Sequence, residues 1–190
     1  MRKLILLALV VLVPGVAASQ TMGLYFEHEQ PVMHKYTEGN GEIFEMYLYV
    51  RGAAYNMSAV EYKIYTPDDP DHLIFTIISV EYPDNMMVTM GHPFAGHQVA
   101  FYPPMMGVND YCHVCTIRAC TLPPSYPGLL CDTFDFPITI GPDPGSGHLR
   151  AAAHPNMDLI ELVGLTSTLN PKKVPVRESS WGEIKARNTD

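Results

Sequence analysis

The chain has 190 residues, 47% of them hydrophobic and 17% charged, with a formal net charge of −8. Between residues 20 and 170, five Lys or Arg face seventeen Asp or Glu, a formal charge of −12. Such a surface repels phosphate backbones and anionic lipid heads, which argues against nucleic-acid binding, and the length suits one domain with a real core rather than two.

Residues 1–19 begin with Arg2 and Lys3, continue through an apolar run at 4–13, and end in Pro14-Gly15 and small residues. These are the three regions of a secretory signal in order, with cleavage expected after Ala18 or Ser19. The run falls well short of the roughly 20 residues of a membrane span, and no later segment supplies one. The expected product is secreted or periplasmic, with the domain at 20–170.

"GLYFE" at 23–27 is a first strand candidate. In "IFEMYLYV", Phe44, Met46, Leu48 and Val50 alternate with Glu45, Tyr47 and Tyr49. That period of two marks a half-buried strand. Val60, Tyr62 and Ile64 repeat it against Glu61, Lys63 and Tyr65. "TPDDPDH" at 66–72 follows as an acidic turn; its Asp68, Asp69 and Asp71 lack the glycine and distal glutamate of an EF-hand loop. "LIFTIISVEY" at 73–82 is more continuously apolar and is expected to lie deeper. "MMVTM" at 86–90 and "HQVAFY" at 97–102 are further strand candidates.

"HVCTIRACTL" at 113–122 is another, and it sits within the cysteine-rich stretch. Cys112 and Cys115 form a single C-x-x-C knuckle, Cys120 and Cys131 follow, and the second knuckle of a zinc ribbon is missing. Four cysteines in an exported chain are read as disulfides. Cys112 and Cys115 would fall on opposite faces of a straight strand, roughly 10 Å apart, so Cys120 with Cys131, across "TLPPSYPGLL", is the favoured pair. Phe134, Phe136, Ile138 and Ile140 give a third alternating strand. "GPDPGSGH" places Ser146 between glycines near His148 but departs from G-x-S-x-G at Pro144, and is read as a turn. "HLRAA" at 148–152 and "DLIELV" at 158–163 complete the strands. Short strands punctuated by Pro and Gly, without an ordinary helix, predict an all-β antiparallel sandwich, immunoglobulin-like in the preferred version and a jelly roll or small barrel in the alternative.

Residues 171–190 reverse the charge: Lys172, Lys173, Arg177, Lys185 and Arg187 outnumber Glu178, Glu183 and Asp190. Pro171 and Pro175 make an extended linker, and Ser180 with Glu183 fits a capping box for a short C-terminal helix. Trp181, the sole tryptophan, and Ile184 share a face and are expected to dock on the domain or on a partner.

The export signal, "GLYF", a cysteine-bearing strand, "ITIGPDPGSGHLRA" and the closing "SSWGEIKAR" together resemble a group of uncharacterised exported bacterial proteins that end in a Trp-Gly-x-Ile-Lys segment. The resemblance implies a β-sandwich and no activity.

No Ser-His-Asp or Cys-His set emerges from the spacing, so no catalytic residue and no cofactor is assigned. Tyr47 and Tyr49, on the outer face of their strand, serve either as ligand platforms or as cross-strand packing pairs, and packing is preferred. The expected function is that of an exported, non-enzymatic binding or assembly domain for a protein or carbohydrate at the cell envelope or outside it. The alternative is a copper-type metal module, with Met86, Met87, Met90 and His92 as soft and imidazole ligands.

Overall fold

The alternation read at residues 44–50 is realised as an extended strand whose Phe44, Met46, Leu48 and Val50 are all buried. The computed structural model describes residues 20–170 apart from residue 29 and residues 38–40, 53–55, 67–74, 108–109 and 122–135. The described strands are β1 (Thr21–Tyr25), β2 (His34–Lys35), β3 (Ile43–Arg51), β4 (Met57–Tyr65), β5 (Phe75–Glu81), β6 (Met86–His92), β7 (Gly96–Met105), β8 (Tyr111–Thr121), β9 (Phe136–Gly141), β10 (Arg150–Ala153), β11 (Asp158–Glu161), β12 (Val163–Gly164) and β13 (Thr166–Leu169). No α-helix occurs among the described residues, and none there is long and apolar enough to cross a membrane.

Two sheets face each other. One has the order β12-β1-β3-β8-β5; the other runs β11-β10-β4-β9-β13-β2, with β7 added to β4 and β6 to β7. Side chains one apart along each strand therefore divide between a shared core and an outer face. Leu24, Met46, Leu48, Ile117, Tyr62, Ile64, Ile138 and Ile140 meet in the core at 2% exposure or less. Burying each such side chain contributes roughly 1.5–3 kcal/mol, less the entropy of ordering it.

The central strand of the second sheet is β4. Its Met57–Tyr62 portion pairs with β7 on one edge, while β10 and then β9 follow along the other. The turn that separates β9 from β10 is closed by Asp143, whose Oδ1 accepts hydrogen bonds from the backbone N–H of Gly145 (2.7 Å) and Ser146 (3.2 Å). Beyond β11 the chain crosses between sheets: β12 pairs parallel with β1, and β13 returns antiparallel to β9. Ser167 Oγ ties the crossing down by donating to the Leu24 carbonyl. The last described residue, Asn170, is latched to Thr37. Its Oδ1 accepts from the Thr37 N–H (2.7 Å), its Nδ2 donates to Thr37 Oγ1 (3.0 Å), and its own N–H donates to the Lys35 carbonyl (2.7 Å).

Two expectations are corrected. β5 does not lie deeper: among the described residues it is the edge of the five-stranded sheet, paired with β8 alone, and Ile78 is half exposed. A run of apolar residues tolerates burial, but the number of neighbouring strands decides it. Cys112 and Cys115 are not on opposite faces either. The β3–β8 register shifts between Leu48 and Tyr49, which pair with Cys115 and His113 respectively, so Val114 is an extra residue and both cysteines point inward.

Candidate functional site

The outer face of the β11-β10-β4-β7-β6 portion is ordered by register. Leu159 pairs with Ala152, Ala152 with Ala59, Ala59 with Ala100, and Ala100 with Val88. Five adjacent strands thus present one row in which three methyl groups lie between two larger side chains. At about 4.8 Å per strand the alanine floor is roughly 10 Å wide and the Leu159 and Val88 walls stand roughly 19 Å apart. Met90 extends the Val88 wall, and the resulting depression encloses about 190 Å³. Val88, Met90 and Leu159 are 46%, 60% and 62% exposed, so both walls present large apolar side chains to solvent.

The neighbouring row follows the same strands and is polar over four of them, Glu161, Arg150, Glu61 and Gln98, before it ends at Met90. Glu61 is 8% exposed and is held from both sides, by Arg150 Nε at 2.8 Å and by Gln98 Nε2 at 3.2 Å. A carboxylate so far out of water needs both donors. Glu161 receives His148 Nδ1 at 3.2 Å on the exposed rim. The depression therefore has an apolar bed bordered by a fixed line of charges, which can seat an apolar ridge and orient the polar groups beside it.

The β6–β7 hairpin sets the height of one wall. Gly91 (φ 83°) pairs with His97 and Gly96 (φ 120°) with His92, and a Cβ at Gly91 would stand 2.1 Å from the Gly96 carbonyl oxygen. Only glycine allows this close approach.

The opposite face of the molecule carries rings. Tyr25, Tyr49 and Tyr111 pack edge-to-face at 5.3–6.1 Å between centroids, with His28, Tyr47 and His113 around them. A second cavity of about 240 Å³ adjoins them, lined in part by Met105 and Met106. Burial, with His28 nearby, holds His113 below the usual histidine range, and its Nε2 lies 3.1 Å from Thr116 Oγ1. Tyr49 is buried and the Tyr47 hydroxyl donates to Glu45. These rings occupy one another as a small outer core, so the packing alternative for Tyr47 and Tyr49 is the one realised.

The metal candidates do not converge. Met86 packs half-buried against the core, Met87 is exposed at the β6–β7 register shift, Met90 lines the groove, and His92 Nδ1 accepts from the Phe94 N–H in the hairpin turn. Among the described residues no three His, Cys, Asp or Glu are placed to hold a metal ion. Cys112, Cys115 and Cys120 carry free thiols, the first two buried, where disulfides were expected; two cysteines three apart in one strand cannot bring their Cα atoms within about 7 Å. Burial pushes the Cys112 thiol up to about 11 and the Cys115 thiol up to about 12, which makes both inert. Cys131, Trp181, Ile184 and the acidic turn at 68–71 lie outside the described residues. Ser146 Oγ accepts from the backbone N–H of His148, whose ring turns to Glu161, so these two form a turn.

Sequence reasoning missed Ala59, Ala100, Ala152, Leu159 and the Glu61–Arg150 pair. Alanine carries no chemical signal, and a row across five strands exists only once register is known.

No family model and no curated protein matches the chain. Among solved structures it is similar to a type II cohesin domain from the cellulosome of Acetivibrio cellulolyticus, with a TM-score of 0.50 at 11% identity over 80% of this chain and 95% of that one. It is similar also to a chain of a CaDoc0917–CaCohA2 complex, with a TM-score of 0.52 at 10% identity over 81% of this chain and all of that one, CaCohA2 being from Clostridium acetobutylicum. At such identity the likeness establishes the fold alone. Of the arrangements left open by the sequence, it is the jelly-roll β-sandwich of these structures that the chain shares.

Proposed function

We propose that the chain is an exported, non-enzymatic protein-binding module and that its docking surface is the outer face of β11-β10-β4-β7-β6. One observation carries this: the aligned row Leu159–Ala152–Ala59–Ala100–Val88, apolar and exposed at its walls, beside the fixed charges of Glu61 and Arg150. A floor about 10 Å wide matches the diameter of an α-helix with its side chains, so an amphipathic helix of a partner protein is the occupant that fits. A carbohydrate is less well served, since a bed of alanine methyls offers no ring on which to stack a sugar.

The test places a photo-crosslinking side chain at Val88 or Leu159, and as a control at Ile78 on the other sheet, in cells of the producing organism. A discrete adduct with one protein from the groove positions, absent from Ile78 and lost when Ala100→Glu fills the floor, is expected. Equal adducts from both faces, or none from the groove, would sink the assignment.

A further inference from the structure

An apolar depression on a strongly acidic domain needs a cover, and the same chain carries a suitable one. Residues 171–190 have the opposite net charge, five Lys or Arg against three acids, and contain the only tryptophan, with Ile184 three residues on. Arg177 and Lys185 stand four residues either side of Trp181, while Glu161 stands exposed two residues from Leu159 on the same face of the groove wall. The signs match locally as well as globally.

Reach permits the contact. Leu169 pairs with Phe136, Thr139 pairs with Tyr65, and Ala59 lies six residues back along β4. The end of β13 is therefore nine strand steps, roughly 30 Å, from the alanine floor. Ten residues lie between Asn170 and Trp181, and the eleven extended steps from one to the other span up to roughly 36–40 Å. The leash is long enough with little slack. It starts from a fixed point, because Asn170 is latched to Thr37 and Lys35.

We propose that, in the free protein, the groove is occupied by the chain's own C-terminal segment. Trp181 and Ile184 sit on the alanine floor between the Val88–Met90 and Leu159 walls. This rests on the groove being the docking surface, and makes the tail an internal competitor that a partner must displace.

Because Trp181 is the only tryptophan, its fluorescence reports on the surroundings of the tail with no other indole contributing. In the purified full chain its emission is expected to be blue-shifted, and its acrylamide quenching severalfold weaker, relative to a synthetic 171–190 peptide. Both should revert to the peptide values in a Val88→Asp, Leu159→Asp double variant whose strand content by circular dichroism is unchanged. Solvent-like emission in the unmodified chain would overturn the proposal. Buried emission that ignores the two substitutions would place the tail elsewhere and overturn it too. Emission that shifts with protein concentration would mean that the tail enters a second copy, which excludes the intramolecular form. If emission is solvent-like while Val88 and Leu159 still cross-link one protein, the tail proposal fails and the docking surface stands.

Discussion

His97 Nδ1 lies 2.8 Å from the Tyr62 hydroxyl and His97 Nε2 lies 3.2 Å from the Tyr82 hydroxyl, so both nitrogens of a buried imidazole are taken up by phenols. Tyr62 in turn lies 3.7 Å from Cys115 Sγ. Burial holds His97 down to about 4, with His92 acting in the same direction and Asp143 against it; burial likewise raises Tyr82 to about 12 and Tyr62 well above its usual range. The network is neutral at physiological pH and links the two sheets through groups that resist charging.

Acid stability follows from that imidazole. An unfolded histidine titrates near 6.5, so between about pH 6.5 and pH 4 the unfolded chain binds the proton that folded His97 refuses. Stability present above pH 6.5 should therefore fall as pH drops toward 4, by roughly 3 kcal/mol from this group. Denaturant unfolding at pH 7 and pH 4.5 measures it. His97→Phe, though less stable overall, should show a distinctly shallower loss, and an unchanged slope would remove His97 as the cause.

The thiols offer a second check. In native protein at pH 8, iodoacetamide should leave Cys112 and Cys115 untouched, and both should react in guanidinium without any reductant. Peptide mass mapping reads the two conditions. Reaction that requires a reductant would show a disulfide in place of the free thiols.

Gly164 is the point at which β12 crosses between sheets, and a Cβ there would stand 1.8 Å from the Ile140 carbonyl oxygen. No flexible side chain can yield, because the obstacle is backbone. Gly164→Ala should destabilise the domain by about 2–3 kcal/mol, the upper range for overpacking, as measured by thermal or urea unfolding.

Arg150→Met removes one of the two donors holding Glu61 and should cost about 1–3 kcal/mol, the penalty for stranding a buried polar group. Adding Glu61→Gln should recover much of that loss, since the remaining amide no longer demands a counter-charge. A double variant as unstable as the sum of the two single changes would show that the pair does not act as a unit.

Much of the sandwich was legible from alternation. Phe44 to Val50, Val60 to Ile64 and Phe136 to Ile140 face the core as their period of two requires. The β6–β7 hairpin and strands β10 and β11 also fall where short apolar runs ended at turns. Depth was less legible, because β5 owes its exposure to its place at an edge. The inward turn of both Cys112 and Cys115 depends on one extra residue in β8, to which local composition is blind. The groove was invisible for a related reason. Ala59, Ala100 and Ala152 are scattered along the chain and become a surface only through the pairing of four strand edges.

The Thr37–Asn170 latch sets a local concentration. A segment leashed by about ten residues to a fixed point is present at its target at something near millimolar, whatever the amount of protein in solution. A tail that would bind the groove only at roughly 10 µM as a free peptide would then fill it about 99% of the time and weaken a rival's apparent affinity about a hundredfold. By holding the leash at one place and one length, two hydrogen-bonded side chains some 30 Å from the groove would decide how tightly a partner must bind before it is admitted.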